Sequence, residues 1–228
     1  MEHFQIQEIR KDIYLVQEPL FYEHANLFLV RGLTSDLLVD CGLGIGDIKE
    51  YLGTKGFMPK VFLTHSHFDH AAGARHFKAN ELLVTKKVSE SLQEKNLAGL
   101  NYLRAEFFAP GASSAVVLDP PATETYVSEN IDIGGYIFDV IAAPGHTEDS
   151  SVLYDKTNKL LITGDALYDG EVYADFPNSN KTDFLGTLAM LKELEFELVL
   201  PGHNKIMDRA QALAVIARWT EQLSRSSR

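Results

Sequence analysis

The sequence predicts an α/β fold, because short apolar strands alternate with helical segments and several strands end in metal-capable residues. The apolar run at 61–63 is typical of a buried strand, and 71–74 is typical of the start of a helix. Between them lies the segment 64–70, Thr-His-Ser-His-Phe-Asp-His, with four metal-capable side chains within six residues. Sites of open α/β sheets lie at such carboxyl ends of strands. We therefore expect a functional site at this strand-to-helix turn.

The rest of the chain predicts strands first and then strands mixed with helices. Segments 13–16, 26–30 and 37–39 are apolar and are separated by turn-forming residues. Helices are predicted over 46–55 and, from the spacing of apolar residues, over 88–108. Further predictions are a strand at 136–141, a hairpin at 151–154 and 160–163, a helix over 183–195, a strand at 197–200, a final helix from about 208, and loops over 119–130 and 166–181.

Length, charge and cysteine content restrict the possible functions. The 228 residues can bury a sizeable core, and we expect a single domain over 1–228. A formal net charge of -11 disfavours non-specific binding to nucleic acid. No apolar run approaches the roughly 20 residues of a membrane span, and no secretory signal is predicted at the start of the chain. The single cysteine, Cys41, excludes an internal disulfide, so we expect a cytoplasmic protein.

Three more metal-capable residues follow predicted strands. His146 and His203 each come directly after Pro-Gly, and Asp165 follows a glycine at the end of the hairpin. Either histidine alone would be interpreted as a structural or surface residue, but with Asp165 and the segment 64–70 they form a set of five histidines and two aspartates. Imidazole and carboxylate ligands suit zinc, and also iron, manganese or nickel. The full set of candidate metal ligands is His65, His67, Asp69, His70, His146, Asp165 and His203.

Residues just after segment 37–39, and in the loop between segments 13–16 and 26–30, have alternative interpretations. Asp40 either orients a metal ligand through a hydrogen bond or is a turn residue. Cys41 is interpreted as a small buried hydrophobic residue, because the histidines and aspartates already supply enough ligands. Phe21 and Tyr22 would either cap a pocket or cover a sheet edge.

The order and spacing of the candidate ligands resemble those of the metallo-β-lactamase superfamily. The likeness is carried by His65-Ser66-His67-Phe68-Asp69-His70, by Gly145-His146, Gly164-Asp165 and Gly202-His203, and by Asp40 in Val-Asp-Cys-Gly. It implies an αββα sandwich and a hydrolase that uses two divalent metal ions, zinc being favoured. It also implies one ion on His65, His67 and His146, the other on Asp69, His70 and His203, and Asp165 bridging them.

Other segments resemble the metallo-β-lactamase domain-containing protein 2 group, which is associated with hydrolysis of acyl-CoA thioesters. In this interpretation a hydroxide that bridges the metals attacks the carbonyl of an acyl thioester, ester or lactone. Tyr168, three residues after Asp165, resembles the tyrosine of quorum-quenching acyl-homoserine lactonases that assists at the carbonyl oxygen; otherwise it is a packing residue. Asp69 is the candidate proton donor to a leaving alkoxide. The segments are 26–32, 40–44, 164–170, 182–187 and 199–203.

Alternative functions stay open beside the acyl-CoA thioesterase. An acyl-homoserine lactonase or a glyoxalase II-like glutathione thioesterase would share the predicted chemistry. A persulfide dioxygenase would share the scaffold but use a single iron with oxygen. A metal-binding scaffold without catalysis is disfavoured, because no ligand position has been lost.

Recognition of an anionic CoA thioester would need local cations in a chain of net charge -11. Lys181 and Lys205 are the candidates, because each follows a segment of the predicted site. Phe21, Tyr22 and the predicted helix over 88–108 are available for an acyl chain, and this helix could instead be a lid or a dimer contact. The sequence leaves the oligomeric state open, with a homodimer as one alternative.

Overall fold

The computed structural model describes residues 2–22, 24–93, 116–117, 119–122 and 126–225. The chain divides into two compact units. Unit 1 is Met1–Ser128 with Ile133–Gly135, and unit 2 is Glu129–Asp132 with Tyr136–Arg228. Among the described residues each unit contains one six-stranded mixed sheet with helices, which confirms the predicted α/β class.

The sheet of unit 1 combines antiparallel and parallel strand pairs. Its elements are β1 (Gln5–Arg10), β2 (Ile13–Gln17), β3 (Leu27–Arg31), β4 (Asp36–Val39), α1 (Ile48–Thr54), β5 (Lys60–Phe62), α2 (Phe68–Ala71), β6 (Leu82–Leu83) and α3 (Lys86–Gln93). The strands follow the order β1-β2-β3-β4-β5-β6. Neighbours are antiparallel from β1 to β4 and parallel from β4 to β6.

The parallel pairing of β4 and β5 positions the first part of the candidate site. Parallel neighbours need a crossover, and α1 supplies it. This helix begins after Asp47, whose carboxylate accepts a hydrogen bond from the Glu50 N–H at 2.9 Å. Because β4 and β5 run in the same direction, their carboxyl ends meet at one edge of the sheet. There the Asp40 N–H donates to the Phe62 carbonyl at 2.8 Å, which places Asp40 beside the segment 64–70.

The sheet of unit 2 has a single parallel pair among its described strands. Its elements are β7 (Asn130–Asp132), β8 (Ile137–Ala142), β9 (Ser151–Asp155), β10 (Leu160–Gly164), α4 (Lys181–Glu193), β11 (Leu198–Pro201), β12 (Met207–Asp208) and α5 (Arg209–Arg225). The strands follow the order β12-β11-β10-β9-β8-β7. The pair β10-β11 is parallel, and the other pairs are antiparallel.

The core of unit 2 follows from two kinds of hydrophobic pattern. Every residue of β9 and β10 is buried, as expected for central strands whose apolar runs are covered on both faces. Helix α5 instead buries one face at a spacing of three to four residues. That face consists of the buried residues Ala212, Val215, Ile216, Trp219 and Leu223. Trp219 packs edge-on against Phe184 of α4, with ring centroids 5.7 Å apart.

The predicted helices over 46–55 and from about 208, and the predicted hairpin, are confirmed, whereas two helices begin earlier than predicted. Helix α2 begins at Phe68 rather than near Ala71, because the His67 carbonyl already accepts from the N–H groups of His70 and Ala71. Helix α4 begins at Lys181, because the Asn180 side chain caps it. Lys181 therefore lies in a helix and not in the predicted loop.

The prediction of a helix over 88–108 is only partly covered by the structure. Helix α3 accounts for its start, and positions 94–108 lie outside the described residues, as does part of the predicted loop over 119–130. In the part of the chain that is described, none of the helices has both the length and the apolar character that crossing a bilayer requires.

Candidate metal centre

The first half-site is the turn after β5 in unit 1, which carries His65, His67, Asp69 and His70. The His65 ring centroid lies 4.7 Å from that of His67 and 4.2 Å from that of His70. His70 Nε2 lies 3.5 Å from Asp69 Oδ2. All four side chains are buried. A single turn therefore brings four potential metal donors together away from bulk water.

Asp40 supports the first half-site through its carboxylate. Its Oδ2 accepts from His70 Nδ1 at 2.7 Å, and Thr64 donates to the carboxylate through its N–H and its hydroxyl, both at 2.8 Å. A carboxylate only accepts, so His70 Nδ1 carries the proton and Nε2 is the nitrogen that suits a metal. Asp40 also has left-handed backbone, with φ 61°, a conformation that is uncommon for residues other than glycine. The interpretation of Asp40 as an orienting residue is thus supported.

Cys41 is buried, as predicted, and its thiol donates to the His70 carbonyl at 3.2 Å. Burial raises the pKa of this thiol well above its usual value, and the negative charges of Asp40 and Glu18 raise it further. The nucleophilic and metal-binding form of cysteine is the thiolate. The raised pKa thus disfavours the thiolate form that a ligand would need, and the thiol contacts the His70 backbone instead.

The second half-site lies in unit 2 and consists of His146, Asp165 and His203. His146 follows β8, Asp165 follows β10, and His203 follows β11. Asp165 Oδ2 lies 3.4 Å from His146 Nε2 and 3.4 Å from His203 Nε2. The parallel pairing of β10 and β11 brings the ends of these strands to the same edge. Two histidines from segments far apart in sequence therefore lie against one carboxylate oxygen of a third segment.

The spacing within both half-sites fits metal coordination. Two ligands that bind a tetrahedral ion at about 2.0–2.1 Å lie about 3.3 Å from each other. The three nitrogen-to-carboxylate separations, 3.4, 3.4 and 3.5 Å, are close to this value. The donors are imidazole and carboxylate groups, which suit zinc and other divalent transition metals. The described residues therefore include His/Asp groups suited to metal binding.

The loop over 173–180, here called the clamp loop, surrounds His146 in unit 2. His146 Nδ1 lies 3.0 Å from the Tyr173 carbonyl, and the His146 carbonyl accepts from the Ser179 hydroxyl at 2.6 Å. The Phe176 ring packs edge-on against the His146 ring, with centroids 5.6 Å apart. Sequence reasoning missed these contacts, because the 27 and 33 residues that separate the partners leave no local signal.

Tyr168 lies next to the second half-site and is buried. Its ring packs against His203, with centroids 5.7 Å apart, and against Trp219, with centroids 4.9 Å apart. Its hydroxyl donates to the Glu171 carbonyl at 2.6 Å. Tyr168 thus has the contacts expected of a packing residue. Its role at the carbonyl oxygen of a substrate stays a prediction, and that role requires the hydroxyl to donate to the substrate instead of the Glu171 carbonyl.

The two predicted substrate cations each pair with an aspartate. Lys181 Nζ lies 2.8 Å from Asp175, and Lys205 Nζ lies 2.9 Å from Asp169. Asp169 also pairs with Arg218, at 3.2 Å. Hydrogen bonds from Lys205 and Arg218 hold the pKa of Asp169 below its usual value. Two cations therefore share one carboxylate at this position, and Arg218 is a nearby cation that sequence reasoning missed.

The predicted acyl-chain residues differ in exposure. Phe21 is 2% exposed and packs with Leu43, whereas the neighbouring Tyr22 is 70% exposed. Phe21 therefore contributes to a small apolar cluster of unit 1. Tyr22 keeps an aromatic surface available for contact with another molecule, and its predicted role in substrate binding stays a prediction.

Comparison with known proteins identifies the family. The profile of the Metallo-beta-lactamase superfamily matches residues 22–203. The chain belongs to this superfamily. The chicken (Gallus gallus) protein named acyl-coenzyme A thioesterase MBLAC2 is 32% identical over 89% of this chain and 81% of its own length. The human (Homo sapiens) protein of the same name is 30% identical over 89% of this chain and 82% of its own length.

A solved structure supports the metallo-β-lactamase fold although its sequence identity to this chain is low. The metallo-beta-lactamase from Pontibacter korlensis matches with a TM-score of 0.74 over 97% of this chain and 99% of that protein, at 15% identity. At this identity the likeness shows the fold alone. It confirms the fold class that the resemblance to the superfamily implied.

Proposed function

We propose that this metallo-β-lactamase superfamily member is a metal-dependent hydrolase of acyl thioesters, with acyl-CoA favoured as substrate. The observation that carries the proposal is a set of seven His and Asp donors, buried or half-buried in two half-sites, in a chain 32% identical to an acyl-coenzyme A thioesterase. The similarity extends over 89% of the chain, and the superfamily profile matches residues 22–203, which include both half-sites.

The proposed metal arrangement uses both half-sites. One ion would be held by His65, His67 and His146, the other by Asp69, His70 and His203, and Asp165 would bridge them. Zinc is favoured over iron, manganese and nickel. When bound, the ions would lower the pKa of a water to about 7, which would supply a hydroxide nucleophile at neutral pH, and they would polarise the substrate carbonyl.

The chain's own residues would orient the ligands and respond to charge on the substrate. The carboxylate of Asp40 fixes the His70 ring from behind, at 2.7 Å from Nδ1. Tyr168 would turn its hydroxyl from the Glu171 carbonyl toward the substrate carbonyl, where negative charge develops. A thiolate can leave without a proton, so hydrolysis of a thioester would need no acid. An alkoxide would need a proton, and Asp69 is the proposed donor for a lactone or ester.

The proposal extends to substrate recognition and location. Lys205 and Arg218 carry two positive charges against the single carboxylate of Asp169, so this cluster keeps one net positive charge for a phosphate. Phe21 and Tyr22 are the proposed residues for the acyl chain: the exposed Tyr22 would contact it directly, whereas the buried Phe21 would contact it only if its apolar cluster opened. We also propose a single metallo-β-lactamase domain over 1–228 and a cytoplasmic location, since one cysteine suits a reducing compartment.

Metal analysis combined with a substrate panel tests the proposal. The panel contains an acyl-CoA, a glutathione thioester, an acyl-homoserine lactone and a β-lactam, each assayed for hydrolysis. We expect about two zinc ions per chain and the highest kcat/KM on the acyl-CoA. A lactone as the best substrate would transfer the proposal to the lactonase alternative. One iron per chain with oxygen uptake on a persulfide would overturn the hydrolase proposal.

A further inference from the structure

The clamp loop holds His146 at several points that belong to one short segment. The Tyr173 carbonyl lies 3.0 Å from the ring nitrogen Nδ1, and the Ser179 hydroxyl donates to the His146 carbonyl at 2.6 Å. The Asn180 N–H donates to the carbonyl of Gly145 at 2.9 Å. Ring, carbonyl and preceding peptide of the same histidine are therefore all held by residues 173–180.

Ser179 links the clamp loop to His146 and also closes the loop on itself. Its hydroxyl oxygen accepts from the Phe176 N–H at 3.2 Å, and its own N–H donates to the Phe176 carbonyl at 2.9 Å. The turn that Ser179 closes carries Phe176, whose ring packs against the imidazole of His146. One hydroxyl group thus sets both the backbone position of His146 and the position of the ring that packs on it.

The backbone on the other side of His146 leaves little room for adjustment. Gly145 has φ 142°, and a Cβ atom at this position would lie 2.4 Å from Phe184 of α4. Thr187 of α4 donates to the Pro144 carbonyl at 2.7 Å. The turn before His146 is therefore packed against α4 on one side, and the hydrogen bond from Ser179 holds the His146 carbonyl on the other.

We infer that Ser179 is a positioning residue that holds His146 in the orientation required for metal binding, an inference that rests on the proposed metal-dependent function. Hydrogen-bond partners of ligating histidines fix the ring orientation, and their loss typically weakens metal binding about 10- to 100-fold. Ser179 acts on the backbone of the ligand as well as on the packing of its ring. The ion that His146 binds should therefore depend on Ser179, and the other ion should not.

Zinc titration of the metal-free chain tests this inference. Dissociation constants are measured by competition with a chelator of known affinity, for the wild type and for Ser179→Ala. We expect one of the two zinc ions to bind about 10-fold more weakly and the other to bind unchanged. Ser179→Gly removes the same hydroxyl and should give the same result. Ser179→Thr keeps a hydroxyl and should restore the wild-type affinity.

Ser224→Ala is the matched control, because Ser224 also donates to a backbone carbonyl, that of Thr220 at 2.7 Å, on the exposed side of α5. It should leave both zinc affinities unchanged. Urea unfolding of the metal-free variants separates positioning from a general loss of stability. A lower unfolding midpoint for Ser179→Ala with unchanged zinc affinities would overturn the inference alone. A wild-type chain that binds no divalent metal would overturn the proposed function and this inference together.

Discussion

The two half-sites reach a similar spacing of donors by different means. The first half-site takes four candidate ligands from six consecutive residues at one turn, and a carboxylate from the neighbouring strand end supports it. The second takes three candidate ligands from three segments, and neutral carbonyl and hydroxyl groups of the clamp loop support it. A local turn defines the first half-site, whereas the second exists only once the sheet of unit 2 has formed.

This difference has an energetic consequence. Hydrogen bonds to a charged group are roughly twice as strong as those between neutral groups. The Asp40 carboxylate should therefore orient His70 more firmly than the clamp loop orients His146. The second half-site instead depends on Asp165, whose single oxygen Oδ2 lies 3.4 Å from two histidine nitrogens.

Removal of a central ligand should have the largest effect. His65→Ala in the first half-site and Asp165→Asn in the second should each lower the metal content. Each should also lower kcat/KM by more than about 100-fold, because even the loss of a group that only supports a ligand costs about 10- to 100-fold in affinity or activity. Elemental analysis and steady-state kinetics measure the two quantities. If Asp165 bridges two ions, its loss should reduce the metal content more than the loss of His65.

His76→Ala and Asp139→Asn are the controls for these substitutions. His76 contacts the Gly44 carbonyl at 3.0 Å, and Asp139 lies on β8, outside both half-sites. Both variants should keep the metal content and activity of the wild type. Full metal content in His65→Ala or Asp165→Asn would contradict the assignment of that residue as a ligand.

The next largest effect concerns the support of the first half-site. Asp40→Asn keeps the shape of the side chain but removes the charge that His70 Nδ1 faces, so zinc affinity should fall about 10- to 100-fold. The fall should exceed that of Ser179→Ala, because the Asp40 contact is charge-assisted. Asp12→Asn is the matched control, since Asp12 has a similar left-handed backbone, with φ 64°, at a turn outside both half-sites. An equal or larger loss in Ser179→Ala would reverse the proposed order of the two supports.

The comparison also explains how far the sequence alone predicts the molecule. The segment 64–70 is recognisable because its donors are consecutive, and β9, β10 and α5 follow from simple hydrophobic patterns. His146, Asp165 and His203 were predicted from the glycine turns that precede them, but their convergence depends on the pairing of β10 with β11. The clamp loop could not be predicted, since a hydroxyl that bonds a carbonyl 33 residues away has no local pattern.

Tyr168→Phe tests whether the residue beside His203 takes part in the reaction. If the hydroxyl stabilises the developing oxyanion, kcat should fall about 10- to 100-fold, or about 1.4 to 2.7 kcal/mol. The metal content should not change, because the ring contacts of Tyr168 with His203 and Trp219 remain. An unchanged kcat on the best substrate would contradict a catalytic role and return Tyr168 to its packing role, with its hydroxyl bonded to the Glu171 carbonyl at 2.6 Å.

The smallest predicted effect concerns the lysines near the second half-site and separates an acyl-CoA from a neutral substrate. Lys181→Ala leaves Asp175 without this cation, and Lys205→Ala leaves Arg218 as the partner of Asp169, so each change lowers the local charge by one. Exposed charge pairs contribute about 0.2–1 kcal/mol, so KM for an acyl-CoA should rise about 1.4- to 5-fold in each variant.

KM for a neutral lactone or thioester should stay constant in the same two variants, because these substrates carry no phosphate for the lysines to attract. Lys159→Ala is the matched control. Lys159 forms an exposed pair with Glu197 at 2.9 Å, but it lies in the turn before β10, whereas Asp165 of the second half-site follows that strand. Raising the salt concentration should diminish the preference for the acyl-CoA in the wild type, since salt screens exposed charges. If Lys181→Ala and Lys205→Ala change KM equally for charged and neutral substrates, and salt does not alter the preference for the acyl-CoA, these lysines do not recognise CoA electrostatically. The neutral lactone then becomes the favoured substrate.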